Sequence, residues 1–107
     1  MNKDFIIRKN EDIQKIINCG KKKVNKFFVV YYINNSINHD RFVLSVGKKI
    51  GNAVVRNKVK RQLKEILRKN MTYNSRDYVI IVRNGINALD YIYKERELMS
   101  LLKGDKN

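Results

Sequence analysis

The sequence predicts a single α+β domain, a two-layer sandwich in which helices cover a small mixed sheet. Its 107 residues are the length of one ordinary domain, and 43% of them are hydrophobic, enough for one core. Helical and strand-type patterns alternate along the chain in the order α-β-β-α-β-α. No proline, linker or repeat divides residues 1–107, so a second domain is excluded.

The first helix is expected over about residues 10–19. Asn10 is a suitable N-cap, and Glu11 and Asp12 place two acids in the first turn, where the helix dipole favours them. Isoleucines follow at helical spacing, and Gly20 can close the helix.

Two strand-type segments come next. Residues 27–33 are all β-branched or aromatic, and residues 41–46 resume the same chemistry after a polar stretch. We expect a hairpin-like loop between them. Alternation along the first strand puts Phe27 and Tyr31 on one face. The preceding lysine run, residues 21–23, is interpreted as a solvated turn or a phosphate contact.

The clearest helical period spans residues 53–69. Its apolar stripe consists of Val55, Val59, Leu63, Ile66 and Leu67. The opposite side carries Asn57, Lys60, Arg61, Lys64 and Arg68. Glu65 is the only acid in this helix, so the usual pairing of Glu with Lys one turn away is mostly missing. A cationic face of this kind favours an external anion.

A third strand is expected over residues 77–82, followed by a last helix. Asn87 and Asp90 can cap that helix, whose inward side is predicted to hold Tyr91, Ile92, Leu98, Met99 and Leu102. A strand, a helical crossover of about 30 residues and another strand indicate parallel pairing, by default with a right-handed crossover.

The net charge of +14 points to a polyanionic partner, foremost a nucleic acid. The charge is concentrated, because residues 47–69 hold nine basic residues and one acid, whereas residues 77–107 hold five of each. Glycines in residues 47–51 allow the backbone to approach phosphates just ahead of a helix N-terminus. The spacing there is not that of a Walker loop.

Residues 45–61, S-V-G-K-K-I-G-N-A-V-V-R-N-K-V-K-R, closely resemble the signature segment of the bacterial ribonuclease P protein component. Residues 8–12, 28–31 and 77–83 resemble that family's first-helix entry, first strand and last strand. The resemblance implies a subunit of the ribonucleoprotein endonuclease that removes the 5′ leader from precursor tRNA. It also implies a left-handed βαβ crossover, which replaces the default handedness.

The resemblance assigns partners and sites. The partners are the catalytic RNA subunit and precursor tRNA, with no membrane and no obligate protein partner. Catalysis depends on Mg²⁺ held mainly by the RNA subunit and the substrate, so no protein residue is catalytic or binds metal. The residues expected to bind the RNA subunit are Lys48, Lys49, Asn52, Arg56, Asn57, Lys58, Lys60, Arg61, Lys64 and Arg68. Those expected to bind the leader are Ile13, Ile17, Phe27 and Tyr31, with Tyr31 as the stacking platform.

Some residues depart from the family pattern. Gly47 stands where relatives usually have serine, and Lys58 where they often have arginine, so a hydroxyl and a bidentate fork are lost. Ile13 and Ile17 occupy positions where relatives often carry phenylalanine, so they offer contact without stacking.

Other functions have less support. A protein nuclease would need clustered carboxylates or a histidine-based acid/base pair, but the acids are scattered and His39 is expected to be a solvated loop residue. One histidine and one cysteine cannot form a zinc site, and Cys19 is expected to be a semi-buried side chain without a catalytic role. The start of the chain lacks the apolar run of a signal peptide, which favours the cytoplasm.

The remaining alternative is a general RNA-binding or ribosome-associated protein without an enzymatic context. A protein that binds anionic membranes is disfavoured, because the apolar stripe of residues 55–67 is needed to cover the sheet.

Overall fold

The computed structural model describes residues 5–70 and 74–103, which form three helices and four strands. In chain order these are α1 (Asn10–Cys19), β1 (Lys21–Val24), β2 (Phe28–Asn34), β3 (Arg41–Ser45), α2 (Ala53–Lys69), β4 (Arg76–Val82) and α3 (Tyr91–Lys103). Two short 3-10 helices, Lys48–Ile50 and Ile86–Ala88, precede α2 and α3.

The four strands form one mixed sheet in the order β1-β2-β4-β3. β2 pairs antiparallel with β1 and with β4, whereas β3 pairs parallel with β4. The α+β class and the parallel pairing of the two strands joined by α2 are therefore confirmed.

Two expectations about the strands are wrong. Residues 21–23 are not a turn, because Lys21–Val24 pairs along its length with β2 and forms an edge strand. Strands β2 and β3 do not form a hairpin either, because β4 lies between them. A pairing between distant segments thus replaces the local one.

The helices lie on both faces of the sheet. Alternate β2 residues face a large core under α2 and α3, which includes Val30 and Tyr32. The residues between them, such as Tyr31, face a smaller core around Ile16 of α1. The expected arrangement of two layers, with all helices on one face of the sheet, is therefore wrong. The protein has three layers: α1, then the sheet, then α2 together with α3. The opposite orientation of Tyr31 and Tyr32 is what strand periodicity predicts.

Helix α2 begins where the sequence predicts. The Asn52 side chain accepts a hydrogen bond from the Val55 backbone N–H at 3.0 Å, an N-cap that satisfies one of the free donors of the first turn. Val59, Leu63, Ile66 and Leu67 are buried on the side facing the sheet. The opposite side is therefore free to be charged.

The ends of α1 differ from expectation. The helix begins at Asn10, so Lys9 takes the N-cap position and makes no side-chain capping bond. Cys19 is exposed rather than semi-buried. Gly20 does close the helix, and a Cβ there would lie 2.5 Å from the carbonyl oxygens of Ile16 and Tyr32, so only glycine permits this close contact between α1 and β2.

Helix α3 is capped by Asp90, whose Oδ1 accepts a hydrogen bond from the Tyr93 backbone N–H at 3.0 Å. Asn87 lies in the preceding 3-10 helix and donates instead to the Ile50 carbonyl at 2.7 Å. Leu98 is fully buried as expected, but Ile92 is 68% exposed, so its inward placement is wrong.

Candidate nucleic-acid interface

The solvent side of α2 brings five of the predicted residues together. Asn57, Lys60, Arg61, Lys64 and Arg68 line one open surface groove of about 420 Å³, joined only by Glu65. We call this surface the α2 basic face. Glu65 forms an ion pair with Arg68 at 2.8 Å.

The other three cations of the α2 basic face have no acidic partner within the described part of the chain. Lys60, Arg61 and Lys64 form no ion pair with any residue of 5–70 or 74–103. Like charges this close on one helix face repel each other. The surface therefore favours a ligand with several negative charges.

The remaining residues predicted to bind RNA lie around this face rather than on it. Arg56 is half-buried and donates from Nε to the Gly51 carbonyl at 3.1 Å, which ties it to the loop before α2. Lys58 lies on the flank of α2 that faces α3. Lys48 and Lys49 are exposed in the 3-10 helix ahead of α2, next to the Asn52 cap.

Two glycines shape the approach to α2. Gly51 has φ of 155°, and a Cβ there would lie 2.8 Å from Val55 Cγ1, so the position requires glycine. A Cβ at Gly47 would meet no heavy atom within 4 Å. A serine, the residue that the family resemblance leads one to expect there, would therefore fit, and no packing reason explains the glycine.

The second group of predicted residues lies on the other side of the sheet, in the cleft between α1 and β2. Ile13, Ile17 and Tyr31 are all partly buried against the smaller core, which contains Ile16. Lys22 on β1 pairs with Tyr31 and places its Nζ 5.7 Å from the centroid of the tyrosine ring. The cleft thus offers one aromatic ring with a cation beside it.

Phe27 does not belong to this cleft. It packs against the large core under α2 and α3, because β2 begins only at Phe28. The Asn25 side chain accepts hydrogen bonds from the backbone N–H groups of both phenylalanines at 2.9 Å, a turn that interrupts the alternation. Lys22 was expected only as part of a lysine run that forms a turn or contacts a phosphate, because its place opposite Tyr31 depends on the unexpected strand β1.

A polar groove lies beside the first half of α1, where Asp12 and Lys15 line the same groove as Arg41 and Asp77. Arg41 binds the buried Asp77 carboxylate through two hydrogen bonds of 2.9 and 2.7 Å, and Asn35 donates to the same carboxylate at 2.7 Å. The hydrogen bond to Asp77 holds the pKa of the Arg41 guanidinium above its ordinary value. The Asp77 carboxylate is thus already paired with a cation within the fold.

His39 and Cys19, the two side chains considered for other chemistry, lie in different parts of the fold, His39 in the loop before β3 and Cys19 in the last turn of α1. The His39 ring packs edge-on against Phe5, with centroids 4.6 Å apart, and is partly buried rather than solvated. Cys19 lies at the end of α1. Within residues 5–70 and 74–103, no three His, Cys, Asp or Glu side chains are grouped closely enough to bind a metal ion. None of the helices in this part of the chain combines the length and apolar character of a membrane span.

The sequence of this chain is similar to those of ribonuclease P proteins. A family model described as Ribonuclease P matches residues 1–104. The ribonuclease P protein component of Mycoplasma mycoides is 43% identical over 106 residues, which cover 96% of this chain and 97% of that protein.

Solved structures are similarly close. The Staphylococcus aureus RNase P protein is 36% identical with a TM-score of 0.87, covering 95% of each chain. The RNase P protein from Thermotoga maritima is 31% identical with a TM-score of 0.84, covering 94% of this chain and 97% of that one.

Proposed function

Because this chain belongs to the ribonuclease P protein family, we propose that it binds the catalytic RNA subunit of that tRNA-processing endoribonuclease through α2 and the 5′ leader of precursor tRNA through the cleft beside α1. The family membership makes the chain a protein component of the enzyme. The α2 basic face carries the first half of the proposal, and Tyr31 with Lys22 carries the second.

The α2 basic face suits the phosphates of a folded RNA. Its unpaired cations Lys60, Arg61 and Lys64 stand on a rigid helix whose other side is buried under the sheet. Neutralising phosphates releases condensed counterions, so binding through this face should weaken steeply with salt. None of the described residues that line the groove is aromatic, which favours backbone contact over base stacking.

The cleft suits a single strand. An unpaired base can stack on the Tyr31 ring while Lys22 lies close enough to meet the adjoining phosphate. Ile13 and Ile17 extend the apolar wall on the α1 side. The leader is the single-stranded part of the substrate, so this combination matches it better than a duplex.

We infer that the cleavage chemistry resides in the RNA subunit. Several acids of this chain have structural partners: Asp77 binds Arg41, Asp90 caps α3, and Glu95 accepts a hydrogen bond from Asn70 at 2.8 Å. On this proposal Mg²⁺ is bound mainly by the RNA subunit and the substrate, and the complex acts in the cytoplasm on newly made precursor tRNA.

Reconstitution tests the proposal. Adding the purified protein to a ribonuclease P RNA should lower the Mg²⁺ concentration needed for cleavage of precursor tRNA, whereas the protein alone should not cleave. The variant Arg61→Ala, Lys64→Ala should lose this effect. A control variant, Lys26→Ala, Lys103→Ala, removes two exposed charges outside α2 and should retain it. Cleavage by the RNA-free protein, or equal behaviour of the two variants, would contradict the proposal.

A further inference from the structure

A second groove lies between α2 and α3, apart from both surfaces described above. It encloses about 600 Å³ and is bounded by Val54, Lys58 and Gln62 on the α2 side and by Asp90, Tyr91 and Lys94 on the α3 side. We call it the α2–α3 groove. It shares no lining residue with the α2 basic face.

Lys94 is the unusual residue of this groove. It is only 6% exposed, although lysines are rarely buried without a charged partner. Its Nζ donates a 2.6 Å hydrogen bond to the Gln62 side-chain oxygen, a neutral acceptor. No carboxylate of residues 5–70 or 74–103 forms an ion pair with it. An ammonium has three donors, so two of them are left for a ligand.

The charge of Lys94 is only partly compensated. Burial lowers the pKa of Lys94, and the positive charge of Lys58 across the groove lowers it further, while Asp90 partly opposes both. The Asp90 carboxylate already caps the N-terminus of α3, where its Oδ1 accepts a hydrogen bond from the Tyr93 backbone N–H. A buried cation facing a second cation is costly, and an anion placed between them relieves that cost.

The walls of the groove suit a nucleotide better than a bare ion. Val54 is 77% exposed at its rim, and the partly buried Tyr91 adds an aromatic ring. Lys58 follows Asn57 of the α2 basic face by one residue, a turn of about 100° around the helix. An RNA strand crossing the α2 basic face can therefore continue into this groove.

We propose that the α2–α3 groove is a further RNA-binding site, in which Lys94 and Lys58 hold one phosphodiester and the apolar rim at Val54 contacts the adjoining nucleoside. The choice of RNA as the ligand rests on the proposed function. The phosphodiester comes either from the RNA subunit or from precursor tRNA, two sources with the same chemistry.

The first test uses the free protein and the dinucleotide pUpU, followed by two-dimensional NMR. Amide signals of residues 54–62 and 89–94 should shift on titration. Lys94→Gln should weaken this binding by about tenfold or more, since a hydrogen bond to a charged group is lost. Lys103→Gln removes the same charge from the exposed last turn of α3 and should leave the binding unchanged. Shifts confined to the α2 basic face, or equal binding by both variants, overturn the proposal.

Two further variants separate ligand binding from a purely structural role of Lys94. Lys94→Arg keeps a cation and should retain pUpU binding within about twofold. Gln62→Ala removes the internal acceptor while leaving the ammonium in place, so it should lower thermal stability but weaken pUpU binding less than Lys94→Gln does. If Lys94→Arg loses binding as completely as Lys94→Gln, or if binding follows thermal stability across the variants, Lys94 only joins the two helices and the proposal fails.

The second test identifies the source of the phosphodiester in the assembled ribonucleoprotein. Ile92, adjacent to Tyr91 and 68% exposed, can be changed to cysteine in a Cys19→Ser background and carry a tethered iron chelate that generates hydroxyl radicals. Strand cuts in either the RNA subunit or precursor tRNA, weakened by Lys94→Gln, support the site and name its ligand. Cuts in neither RNA overturn it.

The two tests also distinguish this inference from the proposed function. Binding of pUpU in the groove without assembly on a ribonuclease P RNA would refute the proposed function and leave the groove. Normal assembly on a ribonuclease P RNA without pUpU binding or strand cuts at the groove would refute only the proposal of an RNA-binding site in the α2–α3 groove.

Discussion

Tyr31→Ala is the most direct test of how the cleft beside α1 binds its ligand. Tyr31 lies in the middle of β2 on the face toward α1, is partly buried against the same small core as Ile13 and Ile17, and has the Lys22 ammonium 5.7 Å from its ring centroid. The substitution removes the one aromatic ring among the three predicted leader residues that the structure places in the cleft, Ile13, Ile17 and Tyr31, and leaves the backbone pairing of β2 unchanged. It therefore removes a stacking surface rather than a strand.

The expected loss follows from this geometry. Stacking of one base on an aromatic side chain contributes about 1–3 kcal/mol. Part of the ring is already buried against α1, so we expect the lower half of that range, about 1–2 kcal/mol, or roughly fivefold to thirtyfold in affinity. Since mature tRNA lacks the leader, its affinity should change by less than about twofold.

The assay compares binding of leader-bearing precursor tRNA with binding of mature tRNA to the assembled ribonucleoprotein. Tyr31→Phe keeps the ring and should retain precursor affinity, whereas Tyr31→Leu fills the apolar space without stacking and should lose nearly as much as alanine. Equal losses for precursor and mature tRNA would refute the reasoning, because Tyr31 would then support the fold or the RNA-subunit interface.

Three further predictions concern the rest of the molecule. The double variant Arg61→Ala, Lys64→Ala should reduce the slope of log affinity for the RNA subunit against log salt concentration by about 0.7–0.9 per lost phosphate contact, while its circular dichroism stays native. An unchanged slope would mean that the α2 basic face is only solvated and does not contact phosphates. Gly51→Ala should lower stability by about 1–2 kcal/mol in thermal or urea unfolding, because φ is positive and the new methyl meets Val55, whereas Gly47→Ala should be neutral. The pKa of Lys94 is lowered in the folded chain, so the folded chain loses the Lys94 proton at a lower pH than the unfolded chain, whose lysines titrate near 10.5. The unfolded chain therefore binds more protons in this range, and Lys94 makes the free energy of unfolding rise with pH up to about 10.5. Lys94→Met should lack this rise when the two unfolding free energies are compared between pH 8 and 10.5; parallel curves would contradict the shift.

The helices were predictable because their signals are local. Helix α2 combines a capping Asn52, a regular apolar stripe and a charged face within 18 residues, and the structure reproduces its bounds. The three strands rich in β-branched and aromatic residues were found for the same reason. Strand β1 was missed because Lys21–Val24 has no strand-type composition. It is extended because β2 offers a free edge and Lys22 can lie over Tyr31.

Pairing of distant segments could not be deduced in the same way. The polar loop after β2 suggested a hairpin with β3, but β4 inserts between them and pairs with both. The burial of helices on both faces, α1 on one and α2 with α3 on the other, follows from this arrangement, since both faces of β4 are apolar: Ile80 faces the large core and Val79 the smaller one.

The shared surface on α2 could be predicted because helical geometry alone decides which side chains lie together. Projection of α2 placed Asn57, Lys60, Arg61, Lys64 and Arg68 on one surface, as observed. Arg56 and Lys58 entered the prediction through the resemblance of the segment, and the helix turns both away from that surface. Phe27 was misplaced because period-two alternation was extended one residue beyond the strand's actual start.

The alternation of β2 has a consequence for how the two proposed ligands coexist. Tyr31 lies on the α1 side of the sheet, whereas Arg61 lies on the outer side of α2, beyond the large core that covers the other side. The two residues share no hydrogen bond, ion pair or packing neighbour among the described contacts, so a change at one should not reorganise the other. On the proposed function, the leader and the RNA subunit would therefore be held at once, and losses in precursor binding caused by Tyr31→Ala and by Arg61→Ala should add to within about 0.5 kcal/mol in the double variant. A larger deviation would mean that both residues contact one continuous RNA surface, or that strain passes through the core between them.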